Sequence, residues 1–379
     1  MPWNEVSTMS LRQEFVQLAS QEGANVRQLC RRFEISAKTA YKWLARFRAD
    51  GSAGLEDRSR RPTHAPGRTP EALEQQILKL RAEHPAWGGR KLRARLRALG
   101  VADLPSASTI TAILRRYQAL DPASAGQPHA WRRFEQDAPN RLWQMDFKGH
   151  FALERGRCHP LTVLDDHSRF ALGLFACADE RGDTVRSHLT ALFRRYGLPE
   201  RILCDNGSPW GAGEGSPHTT LTVWLLRLGI GVSHGRPYHP QTQGKDERFH
   251  RTLKAEVLQG QTFRDLEASQ QRFDGWRPVY NGERPHESLG MAVPASRYRP
   301  SSRVYPESLP ELVYGEGDVV RKVQSRGVIC FRGREWLISQ AFRGQPVALR
   351  ATTTDGLWQV YFGVHRIATV DLRVHNESS

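Results

Sequence analysis

The stretch RLWQMDFKGHFAL, residues 141 to 153, alternates apolar and polar side chains. Trp143, Met145 and Phe147 face one way, and Gln144, Asp146 and Lys148 face the other. That period of two is the period of a strand. The strand needs a sheet to bury its apolar face, and Asp146 lies in its middle. A carboxylate there is costly unless a cation or hydrogen bonds compensate it. HPLTVLDDHSRFALGLFA supplies two further strands with a turn near Asp165 to Ser168. DTVRSHLTALFRRYG is a helix with Val185, Leu189, Leu192, Phe193 and Tyr196 on one stripe, ended by Gly197. RILCDNGS is a short buried strand that stops at Asp205, TTLTVWLLRLG the next helix and IGVSH the next strand. Two helices fill most of 244 to 281. The order is that of a mixed α/β sheet with helices on its faces.

Before this region the period is helical. In VRQLCRRFEISAKTAYKWLARFR, Val26, Leu29, Cys30 and Phe33 share a helix face, and Ala40, Leu44 and Phe47 share another after the turn EIS. Ser36 is the expected N-cap of the second helix. Helix, tight turn and basic amphipathic helix make a helix-turn-helix pattern, with Lys38, Lys42 and Arg46 on the outer face as candidate DNA contacts. A second helical unit follows, with stripes Leu73, Ile77, Leu80 and Leu92, Leu96, Leu99, then Ile110, Ile113, Leu114 and Tyr117. It reads as another helix-turn-helix or winged helix, or as a plain three-helix module, and Trp87 is expected in its core. After 305 the chain is strand-like. Hairpins at Arg332-Gly333-Arg334 and Asp355-Gly356 predict a small β-barrel of about five strands.

These changes of pattern give the expected boundaries: helix-turn-helix 1–52, basic linker 53–69, second helix-turn-helix or winged helix 70–120, linker 121–138, α/β core 139–300 and C-terminal β-barrel 305–375. The net charge of +15 over 379 residues points to a polyanionic partner, double-stranded DNA first. The longest apolar stretch, LTVWLLRLGIGV, is broken by Arg227 and too short to span a bilayer, so no membrane is expected. No leader-like apolar segment opens the chain, and the five cysteines are scattered. Both features favour reduced thiols in a cytoplasm over disulfides or a cysteine zinc site.

Asp205 ends a strand, and strand ends are where sites form in open α/β sheets. With Asp146 and a third acid at a helix start, it would make an all-oxygen set suited to Mg²⁺ or Mn²⁺. Two such ions would allow in-line displacement at a phosphodiester. The motifs LWQMDFKG, LCDNGSPW, HPQTQGKDERFHRTLK and YNGERPHESLG, in this order, resemble the integrase-like DDE transposases of bacterial insertion sequences. The likeness is to the single-chain kind, with N-terminal helix-turn-helix units fused to a ribonuclease-H-like core, and it covers essentially the whole chain. It implies a catalytic and metal-binding triad of Asp146, Asp205 and Glu247. It also implies nicking to expose a 3′-OH, then strand transfer from the element's terminal inverted repeats into target DNA. A homo-oligomer assembled on DNA, in a bacterial cytoplasm and nucleoid-associated when bound, follows from the same likeness.

The sequence departs from the family pattern in two places. The interval from Asp205 to Glu247 is longer than in retroviral integrases, with the excess in the loop SPWGAGEGSPHTT. Asp246 stands where the family usually has an apolar or small residue. Phe249, Leu253 and Val257 form the buried stripe of this helix, and Asp246 would fall on it if the helix already runs there. The expectation is that Asp246 instead lies in the first turn as an N-cap or dipole partner, while Glu247 reaches the metal. His250, Arg251 and Lys254 are then candidate DNA-end contacts or a solvated basic face. Asp165 and Asp166 read as metal ligands or, better, as a self-capped turn. His239 and His286 match family motifs and are possible accessories. The rival function is a catalytically silent DNA-binding repressor derived from a transposase. A general nuclease would leave the N-terminal binding units unexplained.

Overall fold

The computed structural model describes residues 7–58, 68–120, 135–211, 217–235 and 244–373. The chain divides into two compact units, Met1–Arg68 and Thr69–Ser379.

The first unit holds α1 (Thr8–Ala19), α2 (Val26–Arg32) and α3 (Ala37–Asp50). Ser36 caps α3 by accepting from the Thr39 amide at 3.2 Å. Phe15, Val16, Cys30, Ala40, Trp43 and Leu44 form its core. Leu55 also belongs to that core, and Arg12 donates to its carbonyl at 2.8 Å. The chain is therefore still folded at residue 55, later than the expected start of the linker at 53. Residues 59–67 lie outside the described residues.

In the second unit, α4 (Glu71–Glu83), α5 (Gly89–Ala98) and α6 (Ala107–Arg116) close over Ile77, Leu92, Ile110, Leu114 and Trp87. Trp87 is a core residue, as its apolar neighbours require. This bundle rests on the α/β core of the same unit. Arg95 donates to Glu283 at 2.5 Å, and Val279 packs against the bundle's apolar cluster.

The α/β core is a six-stranded sheet: β1 (Trp143–Phe147), β2 (Phe151–Ala152), β3 (Arg157–Asp165), β4 (Ala171–Cys177), β5 (Arg201–Cys204) and β6 (Gly231–His234). β3 pairs antiparallel with β1, β2 and β4, while β5 runs parallel to both β1 and β6. The long alternating stretch is thus two strands, because Gly149 turns the chain at φ +83. Trp143 and Met145 pack under α7 (Gly182–Tyr196) and α8 (Thr220–Arg227). The other face lies under α9 (Gly244–Leu253), a π-helical turn at Lys254–Leu258 and α10 (Leu266–Gly282). Segregation of the two faces of β1 follows from the period read in its sequence.

The C-terminal part has six strands rather than about five. β7 (Val319–Lys322), β10 (Pro346–Ala351), β11 (Leu357–Phe362) and β12 (His365–Asp371) form one antiparallel sheet in the order β12-β11-β10-β7. β8 (Val328–Phe331) and β9 (Arg334–Leu337) form a separate hairpin. Among the described residues, strand pairing does not close a barrel. The two sheets instead share an apolar core with Val223 and Leu226 of α8.

α9 presents Phe249, Leu253 and, one turn on, Val257 to the sheet, as the stripe predicts. Asp246 lies in the first turn of α9, as expected, but on that same buried side, only 2% exposed, inside the helix rather than as its N-cap. Its Oδ1 has no hydrogen-bond partner among the described residues. Burial first, then the charges of Asp146 and Asp166, lifts its pKa well above the usual carboxylate range. The unfolded chain releases this proton near pH 4 while the folded chain keeps it, so the residue costs stability as pH rises through that window. Asp246→Val should therefore stabilise the protein, by on the order of 1–3 kcal/mol at pH 7, since a buried unsatisfied polar group costs about that much. The gain should shrink as pH falls towards 4, where the unfolded chain begins to hold the proton that the folded chain keeps. Thermal melts of both proteins at pH 4.5 and 7.5 measure it, and a variant no more stable at either pH would contradict it.

Candidate catalytic site and basic helix

Asp146 and Asp205 meet because their strands are parallel neighbours. The register Trp143↔Ile202, Gln144↔Leu203, continued along the strands, brings Asp146 level with Asp205. Burial raises Asp146 to about 7, and the charge of Asp205 adds to the shift. Asp205 is raised as well, again chiefly by burial, against the opposing hydrogen bond from the Gly207 amide at 3.1 Å. Two neighbouring half-buried acids, both raised by burial and Asp146 raised further by the charge of Asp205, make a place where a cation is favoured. Glu180, exposed after β4, adds a like charge to both, and its own carboxylate meets His159 Nδ1 at 2.8 Å. No motif marks Glu180 in the sequence; only the topology brings it here.

Glu247 is exposed at the start of α9, and its neighbour Asp246 is the acid turned in towards Asp146. Among the described residues, no three His, Cys, Asp or Glu side chains converge as a metal-binding group. This structure thus brings together the first two members of the expected triad and leaves the third in solvent.

His250, expected to face DNA, is turned inward and bonds Thr162 Oγ1 through Nε2 at 2.9 Å. Its side chain is 15% exposed, and burial pushes its pKa down to about 4. The reason is helical phase: His250 lies next to Phe249 on the sheet side of α9. Arg251 and Lys254 are exposed. His286 is buried edge-on to Tyr280, its ring centroid 4.8 Å away, and its pKa is depressed to about 3, chiefly by burial. It is a packing residue in this structure. His239 lies outside the described residues.

The Asp-Asp-His-Ser turn is a structural anchor. Asp165 accepts from the Asn140 amide at 2.7 Å and from the Ser168 amide at 2.8 Å. Asp166, fully buried, accepts from Gln144 Nε2 at 2.7 Å and the Gln136 amide at 2.9 Å, and pairs with Lys245. Lys245 precedes Asp246, so this pair fixes where α9 begins. Further along, the buried Arg284–Glu256 pair at 2.8 Å and the Trp276 indole on Glu256 at 2.9 Å hold the π-helical turn to α10.

On the first unit, Lys38 and Lys42 are exposed on α3, and Arg46 is half-buried. The Lys42 ammonium lies 4.6 Å and the Arg46 guanidinium 5.1 Å from the Trp43 ring centroid. Tyr41, 59% exposed, stands beside Lys42 on the same outer face. Its alternation with the lysines was the available signal, and a charge-based reading passes over it.

The integrase core domain matches residues 136–240 and a second integrase core model matches 228–294. The C-terminal domain of the IS481 family transposases matches 318–378. A helix-turn-helix domain matches 11–63 and a homeodomain-like domain 39–114. The chain is 28% identical over 263 residues to an uncharacterized 39.2 kDa protein of insertion element IS476 from Xanthomonas euvesicatoria, covering 66% of this chain and 72% of that protein. It is 22% identical over 249 residues to a putative transposase for IS5376 from Geobacillus stearothermophilus, covering 62% and 59%. Among solved structures, it aligns with a chain of the simian T-cell lymphotropic virus intasome in complex with PP2A regulatory subunit B56 gamma. That match has 17% identity, a TM-score of 0.37, and coverage of 77% and 99%. The BIV integrase catalytic core matches at 24% identity and a TM-score of 0.31, covering 41% and 92%. The chain thus matches, in this order, helix-turn-helix domains, an integrase core and the C-terminal domain of IS481 family transposases, and it resembles the integrase-like transposases of bacterial insertion sequences.

Proposed function

We propose that this protein is a divalent-metal-dependent DDE transposase acting on the terminal inverted repeats of an insertion sequence. The observation that carries the reading is the pairing of Asp146 with Asp205 at adjacent ends of parallel strands, each with a raised pKa. Glu247 on α9 is the third carboxylate of the set, and it would join the pair by turning in from solvent. An all-oxygen donor set fits Mg²⁺ or Mn²⁺. When bound, such ions supply activation of the nucleophile and stabilisation of the leaving oxygen. Asp146 and Asp205 bind and orient; α9, tied down by Lys245 and Glu256, positions Glu247. In the first step water attacks an end phosphodiester, leaving a 3′-OH and a 5′-phosphate. In the second, that hydroxyl attacks a target phosphodiester and a target 3′-oxygen departs.

The basic helix α3, with Lys38, Lys42, Tyr41 and Arg46, is the proposed reader of the terminal repeat, and Arg251 and Lys254 the proposed contacts to the DNA end. Assembly as a homo-oligomer on DNA is part of the same reading.

Asp146→Ala, Asp205→Ala and Glu247→Ala should each abolish Mg²⁺-dependent nicking and joining of end DNA while leaving end binding within a few-fold of wild type. Nicking assays run beside gel shifts check both halves. Unchanged joining by Glu247→Ala would remove it from the site, and a wild type that binds ends but never nicks would favour the silent repressor.

Lys42→Ala should weaken binding to terminal-repeat DNA in the full-length protein. The slope of log K against log salt should fall by about 0.9 for one lost phosphate contact. Fluorescence anisotropy across a salt series measures it, and an unchanged slope would take Lys42 off the DNA.

A further inference from the structure

Asp146 and Thr162 are directly paired across β1 and β3, so their side chains share the α9 face of the sheet. Thr162 Oγ1 lies 3.0 Å from the Asp146 carbonyl oxygen, an atom that only accepts. The single hydroxyl proton of Thr162 is used there. The contact between Thr162 Oγ1 and His250 Nε2, 2.9 Å long, must then run the other way, with Nε2–H donating to the hydroxyl oxygen. In a neutral imidazole that choice leaves Nδ1 without a proton. Nδ1 is the ring nitrogen that faces the Asp146 carboxylate, 4.0 Å from Oδ2. A bare ring nitrogen and a carboxylate oxygen are thus neighbours across a gap too wide for a hydrogen bond. Two ligand atoms on one ion, each bonded at about 2.1 Å, can be up to about 4.2 Å apart, so the gap is within the span of a single cation.

We propose that His250 is a nitrogen ligand to the divalent ion held by Asp146, a fourth donor beyond the three carboxylates. Thr162 fixes its tautomer, much as an outer hydrogen bond fixes most metal-ligating histidines. The inference rests on the carboxylate site proposed above. Its chemical consequence is metal choice: imidazole suits the later divalent transition metals better than Mg²⁺, so the site should favour Mn²⁺ over Mg²⁺ more strongly than an all-oxygen set would. α9 thereby contributes two groups to the metal, Glu247 and, three residues on, His250.

Mn²⁺ is the probe. Purified full-length protein is titrated with Mn²⁺ and bound ion is followed by electron paramagnetic resonance, with Asp146→Asn as the control for the carboxylate site. Electron spin-echo modulation of the bound Mn²⁺ then reports directly coordinated nitrogen. Wild type should show coupling to one imidazole nitrogen. His250→Asn, which keeps a donor for Thr162, should lose that coupling, still bind Mn²⁺ about tenfold more weakly, and show a smaller ratio of Mn²⁺ to Mg²⁺ affinity in competition. His286→Ala should keep the coupling. Mn²⁺ bound in an Asp146-dependent manner with no nitrogen coupling would overturn this inference and leave the carboxylate reading intact. Coupling that survives in His250→Asn would assign the nitrogen elsewhere and overturn it too. Absence of any Asp146-dependent Mn²⁺ binding would overturn the carboxylate reading and His250's role together.

Discussion

The integrase-core part of this molecule depends on how one buried carboxylate is satisfied. Asp166 sits in the turn between β3 and β4 with no exposed surface on its side chain. Its partners come from three different parts of the chain: Gln144 of β1, the amide of Gln136 at the entrance to the core, and Lys245 of α9. A buried ion pair broken on one side typically costs about 3–5 kcal/mol, so each partner is held to its place. The pair is less a source of net stability than a device of register. It sets where α9 starts against the sheet, and with it which side chains of α9 face Asp146.

Helix packing then transmits that register. Phe249, Leu253 and Val257 bury one stripe of α9 and its π-helical extension, and the Arg284–Glu256 pair with Trp276 locks the far end to α10. α8 does comparable work on the other side. Leu221, Trp224 and Leu225 pack under the sheet, while Val223 and Leu226 enter the C-terminal core. The apolar run LTVWLLRLG is thus accounted for by burial on two sides, and no helix among the described residues is long and apolar enough to cross a membrane.

Most of the fold was legible in the sequence because it rests on local period. Alternation at 143 to 148 separated the two faces of β1. The 3.6-residue stripe of α7 and the Ser36 cap marked helices where they stand. Asp146 and Asp205 could be singled out as acids in strands that otherwise read as apolar. The C-terminal hairpins at Arg332-Gly333-Arg334 and Asp355-Gly356 were visible, yet the joining of one into a four-stranded sheet and the separation of the other were not. Register between distant strands is set by side chains that meet only after folding.

The pair Asp246-Glu247 marks the limit of such reading. Sequence by itself determined that these two acids open a helix whose stripe continues through Phe249 and Leu253, and family resemblance singled out Glu247. Only the tertiary structure decided that Asp246 is the acid packed inward, that Glu247 stands in solvent, and that His250 turns away from the basic face to meet Thr162 beneath Asp146. The physical reason is phase. A helix fixes the angles between its own side chains at 100° per residue, but its rotation against the sheet is fixed from outside, here by Lys245 on Asp166 and by the apolar stripe against β3 and β4.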